Sequence, residues 1–327
     1  MKHISILIPA GHSSLPNIDG SQQILTEVNN ILHSMGKEPL FKIQLVGLSR
    51  EVPQRNGLYT IQPDVLISEV TKTDIIIIPA MHGDLPTAME ANAAFLPWIT
   101  EQYKKGAELV SFCIAAFFVA STGLLNGKKC ATHWIVANQF RAMFPEVILV
   151  DDRIMTEEDG IYSSGGAYSF LNLLAYLIEK YAGRDVAIRI AKTFMIDIDR
   201  ESQSPFIMFN GQKTHEDEPI KKAQDYIERN YNDKITVDQL AGMLALGRRN
   251  LERRFKKATA NTVVEYIQRV KIEAAKKGFE TSRKNINEVM YEVGYNDTKA
   301  FRTTFKKITG LSPVEYRNKY NKTAASA

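Results

Sequence analysis

The chain reads as an α/β domain followed by an all-α domain. The first is a mostly parallel sheet covered by helices on both faces, and the second holds two helix-turn-helix units. Three observations predict this. Over residues 1–205, short runs that are apolar without alternation are separated by longer helical patterns, the pattern of strands buried on both faces. Near the end a phrase is written twice, fifty residues apart: Phe255-Lys256-Lys257-Ala258-Thr259 with Val264-Glu265-Tyr266, then Phe305-Lys306-Lys307-Ile308-Thr309 with Val314-Glu315-Tyr316. Charge divides as well. Residues 1–210 carry 17 Lys/Arg against 22 Asp/Glu, and residues 211–327 carry 24 against 15. The acidic front and basic back point to a polyanion as partner of the back.

In the front region, strands are expected at Ile4–Ile8, Phe41–Gly47, Ile75–Ile78, Glu108–Phe112 and Val147–Val150. Helices are expected at Ser21–His33, Ala88–Tyr103, Ile114–Leu125, Trp134–Met143 and Tyr168–Tyr181. Pro9 and Gly11 cut the opening apolar run short, so it reads as a buried strand and not as a signal peptide. No stretch reaches the roughly 18–20 apolar residues that span a bilayer. Cys113 and Cys130 are the two cysteines, too few for a disulfide framework. A soluble cytoplasmic protein with no membrane partner is the expectation.

One strand end carries chemistry. Glu108–Phe112 runs directly into Cys113, Ile114, Ala115 and Ala116. Such a turn places the sulfur at the carboxyl edge of the sheet, where functional loops gather. It also lies beside a helix N-terminus, whose free N–H groups lower a thiol's pKa. His133 follows twenty residues on, and a thiol with an imidazole is the chemistry of a nucleophile–base pair. A small buried cysteine beside a histidine that only orients loops fits the spacing equally.

Ser111-Phe112-Cys113-Ile114-Ala115-Ala116, Gly123-Leu124-Leu125-Asn126-Gly127 and Ala131-Thr132-His133-Trp134 resemble the DJ-1/PfpI (class I glutamine amidotransferase-like) domain. The likeness is to the version fused in front of AraC-type regulators, and it extends over about residues 3–205 through Ser164-Gly165-Gly166-Ala167 and Gly183-Arg184-Asp185-Val186-Ala187. The resemblance implies a flavodoxin-like sandwich that senses a small metabolite and forms a homodimer. It also implies a ligand pocket around Cys113, Ile114, His133, Asn17 and Gln23. Two departures count against turnover. The place of the acidic residue that supports the cysteine in the family's enzymes falls on Gln23, a neutral amide, and Ala115 stands where related elbows commonly have glycine. A sensor with no catalytic residue, cofactor or metal is expected. The alternative is a Cys-dependent amidase, hydrolase or glyoxalase-like enzyme with secondary DNA binding.

Residues 206–218 are polar and broken and read as a flexible linker, with His215 a solvated linker residue. In residues 219–320, Thr236 caps Val237–Leu244, and a turn at Ala245-Leu246-Gly247 leads into basic Arg248–Lys257 with Leu251 and Phe255 inward. The second copy is Ile286–Val293, a turn one residue longer, then Thr298–Lys307 with Phe301 and Phe305 inward. A helix over about Val263–Phe279 joins the copies, and residues 321–327 form a tail.

From Ile286 to Tyr316, with Val293-Gly294-Tyr295, Thr309-Gly310 and Ser312-Pro313, the back resembles the AraC/XylS-type DNA-binding domain. By that resemblance, base-reading positions fall on Arg249, Glu252 and Arg253 in the first copy and on Thr298, Lys299 and Thr303 in the second. Phosphate contacts fall on Arg248, Arg254, Lys256, Arg302, Lys306 and Lys307. The implied protein is a sequence-specific transcriptional regulator, an activator in the commoner case. Its implied partners are double-stranded promoter DNA, RNA polymerase and an effector such as an amino acid or a small amine.

Overall fold

The computed structural model describes residues 1–321, so the expected tail beyond Asn321 lies outside the described residues. The chain forms two compact units that divide between Gln203 and Ser204.

The front unit's strands are β1 (Lys2–Ile8), β2 (Phe41–Gly47), β3 (Val52–Gln54), β4 (Tyr59–Ile61), β5 (Val65–Leu66), β6 (Ile75–Ile78), β7 (Glu108–Phe112), β8 (Lys129–Cys130), β9 (Ile148–Leu149), β10 (Met155–Glu158) and β11 (Ile161–Ser164). Its helices are α1 (Leu15–Ser34), α2 (Leu85–Ala91), α3 (Phe95–Lys104), α4 (Ala115–Ala120), α5 (Ala137–Met143), α6 (Phe170–Ala182) and α7 (Arg184–Thr193). Seven strands make one sheet in the order β10-β11-β7-β6-β1-β2-β5. All neighbours are parallel except β10, which runs antiparallel to β11 at one edge.

Ile4 lies opposite both Ile43 and Ile75, and successive side chains leave opposite faces. Ile4, Ile6, Ile8, Ile75 and Ile77 therefore pack against α1, α6 and α7, through residues such as Val28, Leu173 and Ile190. Leu7, Ile76 and Ile78 pack the other way, against Phe95 and Ile99 of α3 and Phe117 and Phe118 of α4. Both faces of the sheet's centre are buried, which is why β6 is apolar throughout.

Two front-region expectations need correction, and one hairpin was not expected. Val147–Val150 is not a strand of the main sheet, because Ile148 and Leu149 pair with Lys129 and Cys130 in a separate ribbon. Ala88–Tyr103 is two helices, since Asn92 turns its side chain onto Ala10, accepting from its N–H at 2.7 Å and donating to its carbonyl at 3.2 Å. The β10–β11 hairpin turns on Asp159 and Gly160, both at positive φ. Its polar Thr156-Glu157-Glu158 has no apolar run to announce a strand. Among the described residues no helix is long and apolar enough to cross a membrane.

The helical unit comprises α8 (Glu218–Arg229), α9 (Val237–Met243), α10 (Arg248–Thr259), α11 (Val263–Thr281), α12 (Ile286–Glu292), α13 (Thr298–Thr309) and α14 (Pro313–Tyr320). It has two cores. Ile220, Leu240, Leu251 and Phe255 pack with Val263, Tyr266 and Val270 of α11. Val289, Phe301, Phe305 and Tyr316 pack with Ile272, Ala275 and Phe279 of the same helix. Each core holds one helix-turn-helix copy, and α11 lends half its length to each.

The repeated phrase follows from this packing. Phe255, Phe305, Tyr266 and Tyr316 are its buried aromatics. Thr259 and Thr309 donate to the carbonyls of Phe255 and Phe305 at 2.8 and 2.9 Å. Glu265 and Glu315 close capping boxes with Thr262 and Ser312, satisfying N–H groups that a helix start leaves open.

Residues 206–218, expected to be a flexible linker, are instead bonded to the helical unit. Lys276 Nζ donates to the Ile207 carbonyl at 2.5 Å, and the Phe209 N–H donates to Glu273 at 3.1 Å. Lys213 pairs with Asp225 and Glu228, and His215 Nε2 lies 2.9 Å from Gln224 Oε1. A polar segment docks readily when the surface beneath offers carboxylates and amides.

Candidate DNA interface and sensor site

The helical unit exposes two matched stripes. Residues 244–247 and 293–297 form the turns before α10 and α13, the second one residue longer. Ala245 at φ 52 and Gly294 at φ 72 supply the left-handed residue in each. Leu251, Phe255 and Thr259 are buried in α10, and Phe301, Phe305 and Thr309 at the same positions of α13. That anchoring leaves Arg249, Glu252, Arg253 and Lys256 as one exposed stripe and Lys299, Arg302, Thr303 and Lys306 as the other. Among the described residues no ion pair engages Arg249, Arg253, Lys256, Lys299, Arg302 or Lys306. Their charge faces solvent.

Several expected roles shift on this geometry. Arg254 is half-buried and grips Asp217 through two bonds of 2.9 and 2.6 Å. Asp217 caps α8, so the Arg254 guanidinium, expected at phosphate, is engaged within the helical unit instead. Thr298, half-buried, is the first residue of α13 and occupies the place that Arg248 has in α10. It is therefore off the stripe. Arg302 occupies the place of Glu252 and belongs on it. Arg248 is exposed but pairs with Asp238 at 3.0 Å and Glu252 at 3.3 Å, so both side chains of that pair are engaged with each other. Lys257, the counterpart of Lys307, lines a groove with Arg249, Arg253 and Lys256. The fifty-residue offset was the signal for it.

In the front unit Cys113 stands at φ 59, a strained conformation for a non-glycine residue. Its N–H donates to the Ser164 carbonyl at 2.9 Å, and its own carbonyl accepts from Thr132 Oγ1 at 3.0 Å. Burial pushes its thiol up to about 12, against a smaller opposing effect of the Ile114 N–H. The lowered pKa expected from the helix N-terminus is thus reversed by desolvation. His133 is half-buried beside this loop, and its Nδ1 accepts from the Ile135 N–H at 3.2 Å. Burial, then His82, holds its pKa down. Among the described residues no hydrogen bond joins Cys113 to His133. Ile114 is half-buried next to the thiol.

Asn17, not Gln23, is the buried amide of α1. Gln23 is exposed and donates to Asp19 at 2.6 Å. Asn17 is 1% exposed, its Oδ1 accepts from the Ala80 N–H at 3.1 Å, and its Nδ2 has no partner among the described residues. Two further histidines stand at the same edge. His12 and His82 have ring centroids 5.2 Å apart, and the His82 N–H donates to the His12 carbonyl at 2.7 Å. Burial, then His12, then Arg55 lowers the pKa of His82. The sequence carries a signal for this pair in Ile8-Pro9-Ala10-Gly11-His12 and Ile78-Pro79-Ala80-Met81-His82, each closing a strand of the sheet. Donors and cations gather at the edge: His12, His82, His133, Arg55 and the Asn17 amide.

Residues 240–319 match the family model of a helix-turn-helix domain, and residues 26–180 that of the DJ-1/PfpI family. The HTH-type transcriptional regulator GbdR of Pseudomonas aeruginosa is 24% identical over 279 residues, 82% of this chain and 72% of that protein. The HTH-type transcriptional regulator ArgR of the same organism is 25% identical over 236 residues, 71% of each chain. Among solved structures, a putative transcriptional regulator from Vibrio parahaemolyticus is 26% identical with a TM-score of 0.53, over 59% of this chain and 98% of that one.

Proposed function

We infer, from a chain that is an AraC/XylS-type helix-turn-helix regulator fused to a DJ-1/PfpI-like domain, how its two parts divide the work. It is a sequence-specific DNA-binding regulator with a small-molecule-sensing front domain, and it acts by binding and not by turnover. The observation that carries the DNA reading is the pair of matched, solvent-facing stripes on α10 and α13. Arg249, Glu252 and Arg253 are our base readers in the first copy, and Lys299, Arg302 and Thr303 in the second. Arg takes a guanine edge bidentately, and Thr meets a thymine methyl. Lys256, Lys257, Lys306 and Lys307, at the later turns, contact phosphate. Because the stripes differ in chemistry, one subunit reads two different sub-motifs in tandem.

The effector site is the carboxyl edge around Cys113, Ile114, His133, Asn17, His12 and His82. Its donors suit a small molecule bearing a carboxylate, such as an amino acid, better than a bare amine. A route to the DNA-binding unit starts at the same place. Thr132 Oγ1 bonds the Cys113 carbonyl, and the Thr132 carbonyl accepts from Gln203 Nε2 at 3.0 Å. Gln203 is the last residue of the front unit and is fully buried. A Cβ at Gly165 would come within 2.6 Å of its amide, so the side chain is held tightly. Homodimerisation through the front unit, contact with RNA polymerase and activation of transcription complete the reading.

The test is binding of the full chain to its own upstream DNA, with and without amino acids and small amines. The reading requires specific binding that one of the carboxylate-bearing compounds alters. Equal affinity for upstream and scrambled duplexes would remove the DNA half. The amidase, hydrolase or glyoxalase-like alternative requires turnover that disappears in Cys113→Ser, and a thiol held near 12 is poorly suited to that chemistry.

A further inference from the structure

A buried lysine stands where the two cores of the helical unit meet. Lys271 is 8% exposed, between Val270, which packs in the first core, and Ile272, which packs in the second. Burial of an ammonium is costly unless its donors are satisfied, and an ammonium has three. Lys271 Nζ uses all three on backbone carbonyls. It donates to Asp233 at 3.2 Å, in the loop between α8 and α9 of the first copy. It donates to Val293 at 3.0 Å and Gly294 at 3.3 Å, in the turn of the second copy. The Tyr295 ring centroid lies 5.7 Å from the same nitrogen.

The two segments are laid directly on each other. A side chain at Gly294 would collide with the Asn232 carbonyl and with Lys271 Nζ. Gly294 also sits at φ 72, where glycine is favoured. Away from the shared helix α11, the copies meet where the loop 231–233 lies against the turn 293–295. α11 is 19 residues long, about 28 Å at 1.5 Å per residue. Helices of this length bend gently unless held. Among the described residues the buried apolar clusters of the two copies are distinct, half-buried Tyr231 packs against both, and the Lys271 bonds are the polar tie beside it.

We propose that Lys271 is a specificity-determining positioning residue: by bonding both copies it fixes the separation and twist of the α10 and α13 stripes, and so the spacing between the two DNA sub-motifs the chain accepts. The proposal rests on both stripes engaging DNA but not on which base each residue reads. A duplex rotates by about one tenth of a turn per base pair, with a full turn rising about 34–36 Å. A one-base-pair change in spacing therefore swings one sub-motif away from a reader that cannot follow.

The experiment uses the full-length protein and duplexes enriched by it from a random library. The enriched site is remade with one base pair added or removed between the sub-motifs. The wild type and Lys271→Arg are expected to lose about tenfold or more in affinity on either change. Lys271→Met is expected to bind the original spacing within a few-fold but to tolerate both altered spacings, so that discrimination collapses. A merely stabilising lysine would lower the melting temperature and leave the spacing preference intact, and that result overturns the proposal. Should Lys271→Met fail to fold, Lys271→Gln, which keeps a donor but loses charge and reach, is read in the same way. A wild type indifferent to spacing while mutations on both stripes weaken binding also overturns it. Loss of effect from mutations on one stripe would instead remove the two-stripe reading beneath it.

Discussion

Position 253 holds a guanidinium and position 303, its counterpart fifty residues on, a threonine hydroxyl; both lie on exposed faces anchored by buried phenylalanines. That difference at one site is where specificity is expected. Arg253→Ala should weaken specific binding by about 1–3 kcal/mol and relax preference at one base pair, as measured by anisotropy on single-base variants of the enriched site. Lys306→Ala should weaken all sequences alike and reduce the salt slope by about one; an unchanged slope would reassign that lysine. Arg254→Ala should act differently, lowering stability by uncoupling Asp217 from α10 while leaving base preference alone. At Cys113 burial pushes the thiol up to about 12, so thiolate is scarce near pH 8. Alkylation by iodoacetamide should therefore be slow there and rise roughly tenfold per pH unit. A rate already at its plateau near pH 8 would show an activated cysteine and reopen the enzyme reading.

Among the elements, α11 and its caps carry the architecture of the helical unit. Removing the capping hydroxyl in Thr262→Ala should cost about 1 kcal/mol, read as a lower urea midpoint with an unchanged slope; an unchanged midpoint would mean that solvent caps this helix equally well. The elements legible in the sequence were those with a strong period or a repeat. The isoleucine run of β6, and the i, i+4 pairs Leu251/Phe255 of α10 and Phe301/Phe305 of α13, each have one packing solution. The hairpin of β10 and β11 escaped because its outer strand is polar and edge strands bury little. The docking of residues 206–218 escaped because its anchors, Lys276 and Glu273, lie some sixty residues away in sequence. The exposed faces of both helices were legible from the repeat, whereas Thr298 was expected on the second face although it is half-buried at the first position of α13. The amide of α1 at the sensor edge is Asn17 and not Gln23, since the helix begins at Leu15, earlier than its apolar period suggests.

For the molecule as a whole, attachment at the join is the notable fact. Residues 202 and 203 are bonded to the front unit through Asp152, Arg153 and Thr132. Pro205, Ile207 and Phe209 are bonded to the helical unit through Tyr320, Lys276 and Glu273. On the proposed reading, a ligand that shifts the Cys113–Thr132 loop reaches Gln203 through the Thr132 carbonyl. Such coupling is typically worth about 1–3 kcal/mol. Gln203→Ala should retain effector binding and basal DNA binding but lose most of the effector's influence on affinity; an undiminished response would place the path elsewhere. The central claim, two different readers in one subunit, is tested most directly by in vitro selection with the wild type, Arg253→Ala and Arg302→Ala. The expected result is a bipartite motif in which the two mutations relax different sub-motifs about one helical turn apart. Relaxation of the same base pairs by both mutations, or of none, would contradict it.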